Sequence, residues 1–130
     1  SVNMQDFPIH EFYSRVSYMV NTVAGSDTTR PVACITLYPF FRDYGVTLEH
    51  PDCRPEAGEF RQALRDAVTA CPHPNATLFE GPDLLRDIDG LTADLLHPGD
   101  YGMIQMGKNL AEQLHGLLHQ HDLDINGRLA

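Results

Sequence analysis

Apolar side chains recur at helical spacing in three stretches of this chain and run together in two short ones. Phe12, Val16, Met19, Val20 and Val23 mark one side of a first helix, because residues three and four apart share a face. Pro8 suits its first position, where no amide hydrogen is needed. Gly25 is expected to stop it, and Gly25 to Thr29 reads as a polar loop. Pro31 to Tyr38 is mostly apolar and β-rich, which predicts a strand covered on both faces, as in parallel sheets. Residues 39–54 lack periodicity and hold Pro39, Gly45 and Pro51, the pattern of a long, often functional connection. Helical spacing returns at Phe60, Leu64, Ala67, Val68 and Cys71 and ends at Pro72-His73-Pro74. Ala76 to Phe79 predicts a second strand, and Pro82 to Arg86 a single helical turn. From about Pro98 to His119 a long helix is expected, packed by Met103, Met106, Leu110, Leu114 and Leu117. Ser1-Val2-Asn3-Met4 reads as the end of another strand, and residues 122–130 as a loosely held polar tail.

Strands alternating with helices at these spacings predict an α/β fold with parallel strands, right-handed crossovers and three α/β/α layers. Ligands gather at the carboxyl ends of such strands. Asn3, the segment 38–42 and the segment 81–97 would therefore meet on one rim. With 130 residues, 42% hydrophobic and 21% charged, the chain fits one domain. A net charge of −9 with no basic cluster argues against a phosphate-binding surface, so no nucleic-acid partner is expected. No apolar run is long enough for a membrane span, and the start does not read as a secretory leader.

The three cysteines, Cys34, Cys53 and Cys71, match neither a metal motif nor a complete disulfide framework. Cys34 reads as a small buried hydrophobe, whereas Cys53 and Cys71 could pair only if their loop folds back. Of seven histidines, His115 and His119 stand one helical turn apart. Without a glutamate placed as in the zincin motif they read as a solvated helix end, favoured by the dipole, and no metal site is expected.

The block Asp94-Leu95-Leu96-His97-Pro98-Gly99-Asp100-Tyr101-Gly102 carries the most chemistry. An aspartate three residues before a histidine on a turn can set a carboxylate beside a ring nitrogen. That fixes the tautomer and leaves the other nitrogen free as a general base. The structural alternative is a helix-entry turn in which His97 merely bonds backbone. Asp87 and Asp89 are rival carboxylates at less natural spacing. Asp100 reads as a first-turn residue that meets free amides, with Gly99 and Gly102 permitting a tight entry and Gly107 allowing close approach to the sheet.

This block resembles the last catalytic motif of the SGNH (GDSL-type) hydrolases, which are serine esterases and acylhydrolases. The resemblance implies His97 as acid/base and Asp94 as its orienting carboxylate. It also implies Asn3 as an oxyanion donor, although Ser1-Val2-Asn3-Met4 keeps only the asparagine of the family's Gly-x-Asn-Asp block. No Gly-Asp-Ser nucleophile motif is present, and Ser1, Ser14, Ser17 and Ser26 are poorly placed to replace it. The chain is thus expected to be the C-terminal part of such a domain over residues 1–121. Its expected partners are a missing N-terminal half that carries the serine and a small-molecule ester substrate, with no cofactor. The substrate class would be short acyl esters, acetylated carbohydrate among them. Phe40, Phe41 and Arg42 are candidate substrate contacts; alternatively, the rings pack the loop while Arg42 pairs with Asp43. A non-catalytic α/β module that binds a ligand or partner at the same rim is the competing function.

Overall fold

The computed structural model describes residues 7–46 and 56–128, with side chains described as far as His119. It is a mixed α/β fold. Helix α1 spans Ile9–Ser26, strand β1 Val32–Ile35, helix α2 Ala57–Thr69 and strand β2 Ala76–Phe79. The short helix α3 covers Gly81–Leu84, and the long helix α4 covers Asp100–Arg128. Two 3-10 turns, Phe41–Tyr44 and Ile88–Gly90, lie in the connections. β1 and β2 pair in parallel, with Val32 opposite Ala76 and Ile35 opposite Phe79. Their connection carries α2, the crossover that parallel pairing requires.

One apolar cluster joins α1, the sheet and α2. Val16 and Val20 of α1 meet Cys34 of β1 and Leu64 and Ala67 of α2, with Phe12, Val68 and Cys71 packed around them. Phe12 and Phe60 add an edge-to-face ring contact with centroids 4.9 Å apart. These are mostly the positions that the helical spacing selected, because α1 and α2 lie on the same face of the sheet. Met19 and Val23 fall at the edge of that stripe and remain 57% and 40% exposed. The opposite face departs from expectation: Ala33 is exposed and Ile35 is 41% exposed, so β1 is covered on one side only among the described residues. A groove of ≈780 Å³ runs along α1 and β1, lined by Val16, Met19, Val20, Ile35 and Tyr38 among others.

The end of α1 is tied down by a residue that the apolar pattern does not reveal. Asn75 Nδ2 donates to the carbonyls of Ala24 at 3.1 Å, Asp27 at 3.1 Å and Arg30 at 2.8 Å. It thereby satisfies carbonyls that a helix end leaves open. The carboxyl end of the sheet is closed by a second polar lock. Buried Thr36 donates to Glu80 Oε2 at 2.8 Å and accepts the Gly81 amide at 2.7 Å. Arg65 grips the same carboxylate at 2.7 and 2.9 Å. The Arg65 bond, opposed by partial burial and helped by Thr36, holds the Glu80 carboxyl below its ordinary range.

Helix α4 differs from the expectation at both ends. Pro98 is not in its first turn; it forms an antiparallel bridge with Leu91, and the helix opens at Asp100. The backbone remains helical past His119 to Arg128, through the stretch expected to be a polar tail. No proline interrupts that stretch, and a single glycine costs only about 1 kcal/mol in a helix. Only part of the expected apolar stripe is covered, since Met103 is 59% exposed. The glycine in closest contact is Gly102, not Gly107. A Cβ at Gly102 would overlap the Gly90 carbonyl, whereas one at Gly107 would meet nothing within 4 Å.

Candidate active site

The turn between the Ile88–Gly90 segment and α4 brings Asp94 and His97 together. Asp94 Oδ1 accepts the Thr92 hydroxyl at 2.6 Å and the amides of Leu96 and His97 at 2.9 and 3.0 Å. Its other oxygen, Oδ2, lies 2.7 Å from His97 Nδ1. One carboxylate therefore builds the turn with one oxygen and orients the ring with the other. The ring contact, then the Thr92 hydroxyl, then the two amides hold the Asp94 carboxyl far below its ordinary range. Because Nδ1 faces an ionised carboxylate, the neutral imidazole carries its hydrogen there, and Nε2 is the basic nitrogen. Nε2 makes no hydrogen bond among the described residues, and the ring is 62% exposed.

The loop is held in an uncommon backbone shape. Leu95 has φ +53°, the only non-glycine positive φ among the described residues. A leucine in this left-handed region costs about 1–2 kcal/mol and persists only where surrounding contacts fix it. Two anchors come from the segment after β1. The Phe41 amide donates to the Leu95 carbonyl at 2.7 Å, and the Tyr38 hydroxyl donates to the Leu96 carbonyl at 3.2 Å. The Thr92 amide donates to the His97 carbonyl at 2.8 Å and closes the turn from within. Burial, then the nearby Asp94 charge, pushes the Tyr38 phenol above its ordinary value.

Of the places expected on one rim, segments 38–42 and 81–97 do come together, and the aromatic pair takes the packing role that stood as the alternative to substrate contact. Phe40 has no exposed surface and Phe41 only 9%; they pack edge-to-face at 5.1 Å within a cluster of Leu37 and Ala57. Leu95 and Leu96 rest against that cluster. The rings support the Asp94–His97 turn from beneath. Arg42 is partly exposed and stands over the Phe41 ring at 5.9 Å.

Asp43 pairs with Arg61, a residue the sequence reading passed over. Arg61 is 7% exposed. It donates to the Leu37 carbonyl at 2.7 Å, the Tyr38 carbonyl at 3.1 Å and both Asp43 oxygens at 2.6 and 3.0 Å. Asp43 in turn accepts the Phe40 amide at 3.1 Å. Partial burial raises the Asp43 carboxyl, but Arg61 and the Phe40 amide outweigh it and leave the group lowered. The available signal was an arginine inside the apolar stripe of α2, three residues before Leu64.

Asn3 lies outside the described residues, as does Cys53. Cys34 and Cys71 are free thiols, and burial, then proximity to Cys71, pushes the Cys34 thiol up. The rival carboxylate Asp87 accepts from Gln105 at 3.3 Å. His115 and His119 stack with ring centroids 6.4 Å apart, and no cluster that could hold a metal ion occurs among the described residues. No described helix is long and apolar enough to cross a membrane. No family model, curated protein or solved structure matches this chain.

Proposed function

We propose that Asp94 and His97 are the acid–base half of a serine ester hydrolase, in a three-layer α/β/α domain of the SGNH type. One observation carries this reading: a carboxylate 2.7 Å from Nδ1, opposite an exposed, unengaged Nε2. In that role His97 Nε2 takes the proton of a serine hydroxyl as its oxygen attacks the ester carbonyl. The imidazolium then returns the proton to the leaving alcohol, and water repeats the sequence on the acyl-enzyme. The strained Leu95 agrees with this reading, since backbone strain concentrates at functional sites.

On this reading the nucleophilic serine lies on polypeptide outside the described residues. That polypeptide, the other half of the domain, is the proposed partner. Asn3 is retained as the proposed oxyanion donor, and short acyl esters as the proposed substrates. The competing reading is a non-catalytic binding module. Its support is that Asp94 would be needed for the turn even without catalysis.

Two measurements test the proposal. In the polypeptide extended upstream to include a serine-bearing segment, His97→Gln should lower hydrolysis of p-nitrophenyl acetate by at least about 100-fold. Unchanged turnover removes His97 from the mechanism, and failure of a fluorophosphonate probe to label the folded protein favours the binding module. In the 130-residue chain itself, long-range ¹H–¹⁵N spectra should show neutral His97 as the Nδ1–H tautomer, shifting toward Nε2–H in Asp94→Asn. An Nε2–H ring in the unsubstituted chain contradicts the pairing.

A further inference from the structure

Leu95 is left-handed, apolar and β-carbon-bearing, so nothing in its own chemistry favours the conformation it adopts. Asp94 precedes it and His97 follows two residues later, so the 2.7 Å contact between those two side chains closes across the turn that contains it. The restraint arrives from outside the turn through the carbonyls of Leu95 and Leu96, each engaged by the segment Leu37–Asp43. That segment follows a strand of four residues and contains a proline, and no strand pairing of its own fixes its path. Beside the burial of Leu37, Phe40 and Phe41, the Arg61 guanidinium engages both of its ends at once: the carbonyls of Leu37 and Tyr38, and the carboxylate of Asp43.

From this series of contacts we infer that Arg61 is a positioning residue for the Asp94–His97 pair. It acts through Tyr38 and Phe41 and touches neither member of the pair. The inference rests on the acid–base reading given above and extends it to a residue on a different element, α2. A planar fork with five donors suits the task, because four bonds to three groups must be made in one orientation. A lysine keeps the charge but offers a single point of attachment. Arg61→Lys should therefore preserve the attraction to Asp43 while releasing one or both carbonyls. Tyr38→Phe removes a single hydroxyl at the far end of the same series.

The test uses the 130-residue chain and reads the His97 ring by NMR, alongside global stability from urea denaturation. Arg61→Lys and Tyr38→Phe should each speed solvent exchange of the His97 Nδ1 hydrogen by about tenfold, the factor that corresponds to about 1.4 kcal/mol, and should lower the Nδ1–H tautomer fraction. Val20→Ala, in the separate α1–α2 cluster, should cost as much stability and leave both readings within about twofold of the parent. If Arg61→Lys does not fold, Tyr38→Phe and Asp43→Asn decide. Ring readings in the rim variants that match Val20→Ala overturn the inference and leave the catalytic proposal standing. An Nε2–H ring in the parent chain instead removes the catalytic reading, whatever the variants do.

Discussion

Two glycines of α4 should respond in opposite directions to the same substitution. Alanine at Gly102 places a methyl group on the Gly90 carbonyl oxygen and 2.8 Å from its carbon. Backbone cannot swing aside as a side-chain tip can, so α4 must lift from the Ile88–Gly90 turn. Overpacking of this kind costs about 1–3 kcal/mol. Lifting also strains the Gly99 amide bond to the Gly90 carbonyl, 2.9 Å, and the Asn109 bond to the Leu84 carbonyl, 2.8 Å, each worth about 1 kcal/mol. Replacing glycine by alanine in a helix returns about 1 kcal/mol. The expected balance is a loss of about 2 kcal/mol. At Gly107 only the favourable contribution operates, because the added methyl meets nothing within 4 Å, and Gly107→Ala should gain about 1 kcal/mol. At about 4 °C per kcal/mol for a chain of this length, thermal unfolding should move down by about 8 °C in one variant and up by about 4 °C in the other. Circular dichroism melts and urea titrations measure both. Equal shifts of the same sign would show that the helix–turn seam is not where the close contact lies.

Lowered carboxylates make stability depend on acid in a definite sense. Asp43 and Glu80 are held below their ordinary values, so their contribution is complete above about pH 4 and is lost as pH falls toward the folded-state values. Asp43→Asn should therefore flatten the low-pH limb of a urea-stability profile; an unchanged limb would remove Asp43 from the account. Thr36→Val keeps the side-chain volume but leaves the buried Gly81 amide without its 2.7 Å acceptor. A loss of about 1–3 kcal/mol is expected by urea titration, and a neutral result would mean that amide finds another partner.

The periodic elements were legible because they depend on nearest neighbours. Helical spacing located α1 and α2, short apolar runs located β1 and β2, and the Asp94–His97 pair was readable because three residues of turn suffice to bring the groups together. The remainder depended on contacts distant in sequence. Arg61 and Asp43 stand 18 residues apart, and Asn75 reaches Ala24 across 51. The apolar stripe of α2 marks Arg61 as an arginine on an inward face, but no local pattern records which groups it meets. Phe40 and Phe41 illustrate the converse case: aromatic residues beside candidate catalytic groups have the composition of a binding wall, yet burial gives them to the core. Gly107 was expected to approach the sheet, whereas it is Gly102 that makes a close contact, with the Gly90 turn, because composition names the residue type and only helix phase selects the copy. Helix α4 ran past its expected end because loss of apolar periodicity ends a packed face without ending a helix.

The exposed outer face of β1 gives the acidic composition a physical task. A short parallel strand with Ala33 and Ile35 uncovered, beside Met19 and Val23, is the sort of edge along which identical molecules adhere. A charge of −9 makes each copy repel the next at neutral pH, and that repulsion vanishes near the isoelectric point of about 5.0. The overall charge thus guards a flank from a distance, and mild acid cancels it before reaching the range in which the locked carboxylates titrate.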